Sequence, residues 1–282
     1  MRLPRSRSIA TLALAAAALI GPSAFSQQAK ARWEMRNQIR RDKFDIVLPT
    51  AMRENGIDMW ITAMKEGNFD PLHLELGPGY VDGIGFLIFT DRGGGRIERA
   101  ALNVGGHEIR QSGAYDIFGS SAGLKKFVAE RDPKRIGVNM SDELGFADGL
   151  SHAQYEYLVR TLGAPWSGRL VSAEKLVSDF LFRRVSSEIA VFSEAGRISR
   201  ELAERVLSNE VIIPGRTTIE ETGWWLKDRL EERNLASSFG LPNVYITGPD
   251  GIEPSAPDRI IQRGDLVMID WGVGLMGYYT DM

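Results

Sequence analysis

Two aspartates near the end of the sequence, Asp270 and Asp281, have the side-chain type and the spacing to hold a cation between them. A short apolar run over 265–271 and a second over 278–282 are separated by a stretch that contains three glycines. Apolar runs with glycine between them predict a β-hairpin. The chemistry of interest is therefore that of two carboxylates carried on one ribbon.

The glycine positions predict where this hairpin turns. We expect the turn at 275–276, with Gly274 opposite Gly277. Counting outward two residues at a time places Asp270 directly across from Asp281 on the same face. Directly opposed Cβ atoms are about 4.5–5.5 Å apart, and like charges there repel. Either one carboxylate takes up a proton or a cation lies between them.

A second interpretation leaves the two aspartates without a role, at the solvated end of a hairpin, which is common for surface aspartates. The neighbours of Asp270 argue against it, because Val267, Ile269 and Trp271 indicate a mostly buried strand. An aspartate within an apolar strand generally has a partner. Spacing alone leaves both interpretations open.

The motif resembles that of a known family. Gly-Asp-Leu-Val-Met-Ile-Asp, ending at Asp270, and Gly-Tyr-Tyr-Thr-Asp-Met, ending at Met282, are similar to the hairpin of the pita-bread metallopeptidases. This family includes methionine aminopeptidase, Xaa-Pro aminopeptidase, prolidase and creatinase. The match fixes the separation of the aspartates, the Gly-Asp before the first and the Gly-Tyr before the second.

The resemblance implies a metal centre and a reaction. In the peptidases of the family, two aspartates with this separation begin a set of ligands that a His and two Glu complete downstream. Asp270 and Asp281 would be the first two metal ligands, with Asp281 bridging two divalent ions. Mn, Co, Fe or Zn would suit such ligands. The metals would activate a water for attack on a peptide carbonyl.

The sequence departs from the family in two ways. The peptidases carry a His in the loop before the first ligand, whereas 248–257 contains none and Glu253 lies there instead. The sequence also stops at Met282, one residue after Asp281. We therefore expect a C-terminally truncated fragment that binds divalent metal weakly or not at all, since two carboxylates make an incomplete site.

Composition excludes several kinds of protein. The 282 residues include no cysteine, which excludes disulfides, a thiol nucleophile and thiolate metal ligands. The net charge of −3 and the lack of a clustered basic face argue against nucleic acid as a partner. The hydrophobic content of 43% and charged content of 25% are those of a globular chain with room for two domains.

The N-terminus predicts export. Arg2, Arg5 and Arg7 precede an apolar run over 9–21, and small residues follow it up to Ser26. The run is shorter than the roughly 20 residues that span a bilayer. We interpret 1–26 as a signal peptide cleaved after Ser26. The mature protein is then expected to be periplasmic or secreted, with no membrane association.

The first mature domain is assigned to 27–170 and is expected to be α/β, because predicted strands alternate with predicted helices. Strands are predicted at 57–64, 83–90, 99–104 and 135–139, and helices at 32–54, 124–130 and 151–162. Their order resembles the N-terminal domain of the creatinase and prolidase branch. That resemblance implies a homodimer in which this domain closes over the partner's active site.

The second domain is assigned to 171–282 and is expected to be the first part of an α+β pita-bread domain. Helices are predicted at 172–183 and 186–207, followed by a Pro-Gly-x-Thr loop and a helix with Thr217 and Glu220 as a capping box. The strand 243–247 would precede the hairpin. Of Trp224 and Trp225, one is expected to face the core and the other to be partly buried.

The three histidines lack a metal-ligand companion at short spacing. His73, His107 and His152 are therefore interpreted as structural or surface residues. Gly93 to Gly95 is interpreted as a hairpin turn, because the Lys-Ser/Thr that follows a phosphate-binding loop is missing.

Three functions remain open on the sequence. The first is an exported metallopeptidase of the Xaa-Pro aminopeptidase or prolidase type that acts on peptides. The second is a non-catalytic binding protein with the same fold, which the missing loop histidine favours. The third is a creatinase-like amidinohydrolase without metals, which the presence of both Asp270 and Asp281 disfavours.

Overall fold

The computed structural model describes residues 23–253 and 256–282. Of the predicted signal peptide, 1–22 lie outside the described residues, and 23–26 belong to the start of the first helix. The chain forms an α/β domain followed by an α+β domain, as the sequence predicts. Within the described ranges, no helix has the length and apolar character needed to cross a membrane.

A six-stranded sheet organises the first domain. Its strands are β1 (Met59–Lys65), β2 (Tyr80–Asp91), β3 (Ile97–Gly105), β4 (Ile117–Gly119), β5 (Ile136–Val138) and β6 (Leu170–Ser172). They lie in the order β4-β3-β2-β1-β5-β6. The strands β1, β2 and β3 pair antiparallel, while β4, β5 and β6 each join in parallel. The predicted strands are confirmed, whereas the three-residue strands β4 and β6 were not predicted.

Helices cover both faces of this sheet. They are α1 (Ser23–Asp42), α2 (Leu48–Glu54), α3 (His73–Leu76), α4 (His107–Gln111), α5 (Leu124–Ala129), α6 (His152–Leu162) and α7 (Glu174–Phe182). One core, around Phe44, Trp60 and Phe180, lies under α1, α2 and α7. A second core on the opposite face lies under α5 and α6. Burial on both faces explains why β1 is almost continuously apolar.

The predicted helix over 32–54 is present but not regular. A π-helical turn, Lys43–Val47, lies between α1 and α2. Pro49 lies in the first turn of α2, and helical backbone dihedral angles continue through Val47 and Leu48 before it. The proline therefore does not interrupt the helical path.

The second domain combines two long helices with two small sheets. Its elements are α8 (Ser186–Val206), α9 (Ile219–Glu232), β7 (Ala236–Ser237), β8 (Asn243–Gly248), β9 (Gly251–Ile252), β10 (Leu266–Asp270), β11 (Val273–Leu275) and β12 (Tyr278–Tyr279). The sheets have the orders β10-β8-β9 and β12-β11-β7. The predicted helices and the strand 243–247 are confirmed.

Two local predictions in this domain are wrong. The capping box of α9 consists of Thr218 and Glu221, one residue later than predicted. Thr217 instead binds the preceding loop, its hydroxyl donating to the carbonyl of Val211 at 3.0 Å. Trp224 is 50% exposed, because it lies on the solvent side of α9. Only Trp225 packs on the core of this domain.

Candidate functional site

The hairpin that carries the two aspartates turns one residue later than the sequence predicts. Gly274 pairs with Tyr279 and Leu275 with Tyr278, so the turn residues are Met276 and Gly277. Both have positive φ, 54° and 85°. This is the geometry of a two-residue type I′ turn, which favours glycine at its second position. A turn at 275–276 would have placed side chains at both positive-φ positions, which explains the one-residue shift.

The same register continues to the end that carries the aspartates. Trp271 and Met282 exchange backbone hydrogen bonds of 3.1 and 2.9 Å, and the N–H of Thr280 donates to the carbonyl of Val273 at 3.0 Å. Asp281 is therefore opposite Gly272. Asp270 precedes Gly272 by two residues and is therefore diagonal to Asp281 along the ladder, so the prediction that the two aspartates are directly opposed is wrong. Diagonal positions lie about 7–8 Å apart, still close enough for two carboxylates to share a cation.

Gly272 allows the two strands of the hairpin to approach closely at the end that carries the aspartates. A Cβ built on Gly272 would overlap the carbonyl oxygen of Thr280 and the hydroxyl of Ser238. Ser238 joins both strands at this point, because its N–H donates to Gly272 O at 3.0 Å and its hydroxyl donates to Thr280 O at 2.7 Å. The backbone positions next to both aspartates are thus fixed by one serine.

Thr280 connects the hairpin to α8. Its Oγ1 accepts a hydrogen bond from the N–H of Val273 at 2.9 Å and lies 2.8 Å from the hydroxyl of Ser199. Ser199 is buried in α8. Its hydroxyl also lies 3.0 Å from the carbonyl oxygen of Ala195, to which it can donate a hydrogen bond. The residue before Asp281 is therefore held by a helix that lies far away in sequence.

The opposite face of the hairpin anchors it in the core. Trp271 and Val273 are fully buried against α8 and α9, where they contact a cluster that includes Leu202 and Leu226. Strand alternation then directs Asp270 to the other face. Asp270 is partly buried and pairs with Asn243 of β8, while Asp281 is exposed.

The Gly-Asp dipeptide before β10 has a structural role. The Asp265 carboxylate accepts a hydrogen bond from the N–H of Gln262 at 2.7 Å and pairs with Arg259 at 3.1 Å. These contacts lower the pKa of Asp265, the bond from the Gln262 N–H most strongly. Gly264 supplies the positive φ of 96° that this turn requires. The dipeptide fixes the point at which β10 begins.

The donor chemistry suits a hard divalent cation, because both candidate ligands are carboxylates. Among the described residues, no group of three or more His, Cys, Asp or Glu is arranged to hold a metal ion. Asp270 and Asp281 are the two candidate ligands that the sequence predicts. Their role as metal ligands stays a prediction.

The loop that precedes the site contains no histidine. The backbone of Glu253 continues the β8–β9 hairpin, its N–H donating to Ile246 O at 2.9 Å. Its carboxylate packs against Gly248, where an added Cβ would lie 2.7 Å from Oε1. Residues 254 and 255 lie outside the described residues. Glu253 is thus held against its own hairpin rather than extended toward Asp270.

The three histidines are all in the first domain, each as the first residue of a helix. The ring of His73 stacks on Phe69 with centroids 5.3 Å apart, and its Nδ1 lies 3.0 Å from the carbonyl oxygen of Asp70. These contacts agree with the structural role predicted for His73.

Sequence reasoning missed the residues that support the site: Ser199, Ser238, Asn243 and Thr280. Thr280 could have been found, since a hydroxyl beside a candidate ligand on a strand is a natural partner for the backbone. Ser199 and Ser238 could not, because their contacts depend on how α8 and β7 pack on the hairpin.

Comparison with known families matches residues 190–282 to Peptidase_M24, metallopeptidase family M24. Among solved structures, the chain is similar to Xaa-Pro dipeptidase from Bacillus anthracis, with 19% identity and a TM-score of 0.54 over 87% of this chain and 63% of that chain. It is also similar to a variant of Escherichia coli aminopeptidase P, with 12% identity and a TM-score of 0.57 over 87% of this chain and 61% of that chain.

A third similar structure is proline aminopeptidase P II from Yersinia pestis, with 14% identity and a TM-score of 0.57 over 87% of this chain and 61% of that chain. At these identities the likeness shows a common fold. The chain spans 61 to 63% of the length of these three structures. Comparison with the curated proteins finds no match.

Proposed function

Because residues 190–282 belong to metallopeptidase family M24, we propose that the whole protein is an exported hydrolase of peptides, of the aminopeptidase P or Xaa-Pro dipeptidase type. Asp270 and Asp281 are the metal ligands that this chain contributes. The observation that supports the proposal is the hairpin register, which places Asp281 opposite Gly272, two residues after Asp270.

The remaining parts of the proposal rest on the sequence. The leader over 1–26, cleaved after Ser26, directs the protein to the periplasm or the exterior. The division into an N-terminal domain, 27–170, and a catalytic domain, 171–282, follows the resemblance to prolidases, as does a homodimer. Two divalent ions, Mn, Co, Fe or Zn, fit the carboxylate ligands.

The chain's own residues position the carboxylates. Ser238 and Thr280 fix the backbone on either side of them, so the ligands need little reorganisation when a cation binds. The buried face at Trp271 prevents the ribbon from twisting away from α8. When bound, a pair of divalent metals supplies an activated water and polarises the peptide carbonyl.

Cation binding by the whole protein tests the assignment of the ligands. Asp270→Asn and Asp281→Asn each remove one anionic ligand, and we expect each to weaken Mn²⁺ or Co²⁺ affinity by about tenfold or more. Isothermal titration of the whole protein and of the same variants in it with Mn²⁺ measures the change. Asp228→Asn, an exposed aspartate on α9, is the control and should bind as the unmodified protein does. Equal affinity of all four proteins would refute the assignment.

Hydrolysis by the whole protein tests the reaction. Release of the N-terminal residue from peptides with proline second, lost after treatment with a chelator and restored by Mn²⁺ or Co²⁺, is the expected result. Matched peptides with alanine second determine whether proline is required. Hydrolysis that survives complete metal removal would contradict the proposal.

A second candidate is a binding protein with this fold and no peptidase activity. The absence of histidine from 248–257 favours it, because the resemblance assigns that histidine to substrate binding and proton transfer. The two functions are separated by the same assay. Peptide binding that persists without turnover in the presence of Mn²⁺ would support the binding protein.

A further inference from the structure

A cleft between α1 and the tip of the hairpin has the composition of an anion site. It has a volume of about 270 Å³ and lies at the opposite end of the hairpin from Asp270 and Asp281. Its lining residues are Arg32, Trp33, Arg36, Asn37, Arg40, Pro78, Glu108 and Met276. Three of them are arginines one helical turn apart, so that their side chains share one face of α1.

Arg40 is the most buried of these arginines, and its guanidinium donates hydrogen bonds to three protein acceptors. Arg40 is 4% exposed, and it donates to the carbonyls of Leu74 at 2.8 Å and Glu75 at 2.9 Å. It also donates to Oδ1 of Asn37. Burial lowers the pKa of Arg40, and the neighbouring charge of Arg36 lowers it further. Tyr115, Glu75 and Tyr278 oppose these effects on the pKa of Arg40, and the two guanidinium groups are held close together.

The other two arginines keep donors available. Arg36 donates one hydrogen bond, from Nη2 to Leu74 O at 3.1 Å, and a guanidinium has five N–H groups. Arg32 makes no hydrogen bond or ion pair with any other described residue. The nearby Glu75 carboxylate accepts from the Tyr278 hydroxyl at 3.3 Å. Glu108 is the acidic residue that lines the cleft, against three arginines.

The side-chain amide of Asn37 is the feature of the cleft that most favours a bound anion. It is 3% exposed, and its Nδ2 has no hydrogen-bond partner among the described residues. Its Oδ1 already accepts from Arg40, so the orientation of the amide is fixed with the N–H₂ group as the unpaired end. A buried donor without a partner costs about 1–3 kcal/mol unless something accepts its proton. Because Asn37 lines the cleft, an acceptor that enters beside the arginines and reaches its Nδ2 would remove this cost.

We propose that this cleft binds a small oxyanion, a phosphate or a carboxylate, through Arg32, Arg36 and the amide of Asn37. Oxygen anions pair with guanidinium groups through charge-assisted and often bidentate hydrogen bonds. The bound anion would separate the positive charges of Arg36 and Arg40 and would satisfy Asn37. Because Met276 of the type I′ turn lines the same cleft, the anion would also join α1 to the hairpin that carries the aspartates.

The thermal midpoint of unfolding tests the proposal with inorganic phosphate as the probe. We expect the midpoint to rise and saturate with phosphate, at constant ionic strength set with chloride, because a ligand of the native state stabilises it. Acetate in place of phosphate distinguishes a phosphate site from a carboxylate site. No saturable rise with either anion would overturn the proposal.

Three variants locate the site. Arg32→Gln removes a side chain without protein partners and should weaken the apparent affinity about tenfold, while the unliganded midpoint stays unchanged. Arg160→Gln, an exposed arginine on α6, is the matched control and should keep the full response. Asn37→Asp places a carboxylate oxygen where the unpaired N–H₂ lies, so it should raise the midpoint without anion and abolish the response to phosphate. An undiminished response in both Arg32→Gln and Asn37→Asp would place the anion elsewhere.

Discussion

Gly272 is the single residue on which the geometry between the two aspartates depends most directly. It faces Asp281 across the hairpin, and the space that a side chain would fill contains the carbonyl of Thr280 and the hydroxyl of Ser238. Both of these atoms belong to one hydrogen bond that closes the end of the ribbon. A methyl group at 272 would therefore separate the strands where the carboxylates must meet.

Gly272→Ala should lower the free energy of unfolding by about 3 kcal/mol, because the overlap involves backbone rather than a flexible side-chain end. Urea denaturation measures the loss. Gly240→Ala, in the loop between β7 and β8, is the control, since a Cβ there meets nothing within 4 Å. Losses of equal size in the two variants would show that the packing at 272 is not the cause.

Asp70 is a buried carboxyl in the first domain that belongs to a chain of hydrogen bonds. It accepts from the N–H of Leu72 at 2.9 Å and from the Asn139 amide at 2.8 Å, and Asn139 in turn accepts from the Trp60 indole at 2.7 Å. Burial raises the pKa of Asp70 above its ordinary value of 3.8, although the two hydrogen bonds oppose the change. The folded state therefore favours the protonated form more than the unfolded state does.

The sign of the pH dependence follows from this shift. The contribution of Asp70 to stability is fully present below pH 3.8 and is lost as pH rises through its folded-state pKa. The stability of the unmodified protein relative to Asp70→Asn should thus decline as pH increases from about 3.5 toward neutrality. Urea denaturation at several pH values measures this difference. Asp142→Asn, at an exposed position, is the control variant. A stability difference for Asp70→Asn that does not change with pH would contradict the shift.

At the scale of elements, a buried ion pair joins the start of the fold to the second domain. Lys43, in the π-helical turn after α1, lies 3.3 Å from the Glu188 carboxylate in the first turn of α8. Both side chains are at most 2% exposed. Arg184 also donates to Glu188 at 2.6 Å, and the Lys43 ammonium bonds Leu181 O at 3.2 Å. Burial lowers the pKa of Lys43, while Glu188 opposes that effect.

Glu188→Gln should destabilise the protein by about 3–5 kcal/mol, because it leaves a buried ammonium without its counter-charge. Chemical denaturation measures the loss. Glu130→Gln removes an exposed partner of Lys126 on α5 and should cost less than about 1 kcal/mol. If Glu188→Gln lowers the free energy of unfolding no more than Glu130→Gln does, the Lys43–Glu188 ion pair does not stabilise the packing of α8 on the turn after α1.

The elements themselves were largely predictable, for physical reasons that differ. Apolar periodicity identified α8 over almost its full length, since one face of this helix packs on a core while the other is solvated. The π-helical turn at Lys43–Val47 was not predictable, because the periodicity of the sequence there is that of an ordinary helix. The capping box was displaced by one residue because Thr217 and Thr218 are equivalent in sequence and only the preceding loop distinguishes them.

At the scale of the whole molecule, the tip of the hairpin is built into the first domain. Tyr278 is 7% exposed and belongs to the large core of that domain, against which Leu275 and Met276 also pack. Its ring contacts Phe192 of α8 at 5.4 Å, and its hydroxyl donates to Glu75 at 3.3 Å. Burial raises the pKa of Tyr278, with the Glu75 and Glu188 charges adding to the effect. The hairpin thus connects the candidate metal ligands at one end to the other domain at its tip.

Tyr278→Ala should reduce stability by about 3 kcal/mol and make the two domains unfold in separate steps, because it removes the ring that both domains share. Calorimetry resolves one transition from two. Tyr80→Ala, at a tyrosine that is 63% exposed, is the control and should keep a single transition near the original midpoint. A single cooperative transition in Tyr278→Ala would show that other contacts couple the domains.

The sequence by itself determined the identity of the candidate ligands, the order of most helices and strands, and the α/β and α+β classes of the two domains. These features are local or periodic: the spacing of Asp270 and Asp281 survives in any register, and an amphipathic pattern is written within one element. Tertiary structure alone decided that the aspartates are diagonal rather than opposed, because a type I′ turn with glycine in second position set the register. It also decided that Ser199, Ser238 and Thr280 hold them and that α1 and the hairpin tip enclose a cationic cleft. Such contacts join residues far apart in the chain, and their energies depend on burial that no local pattern specifies.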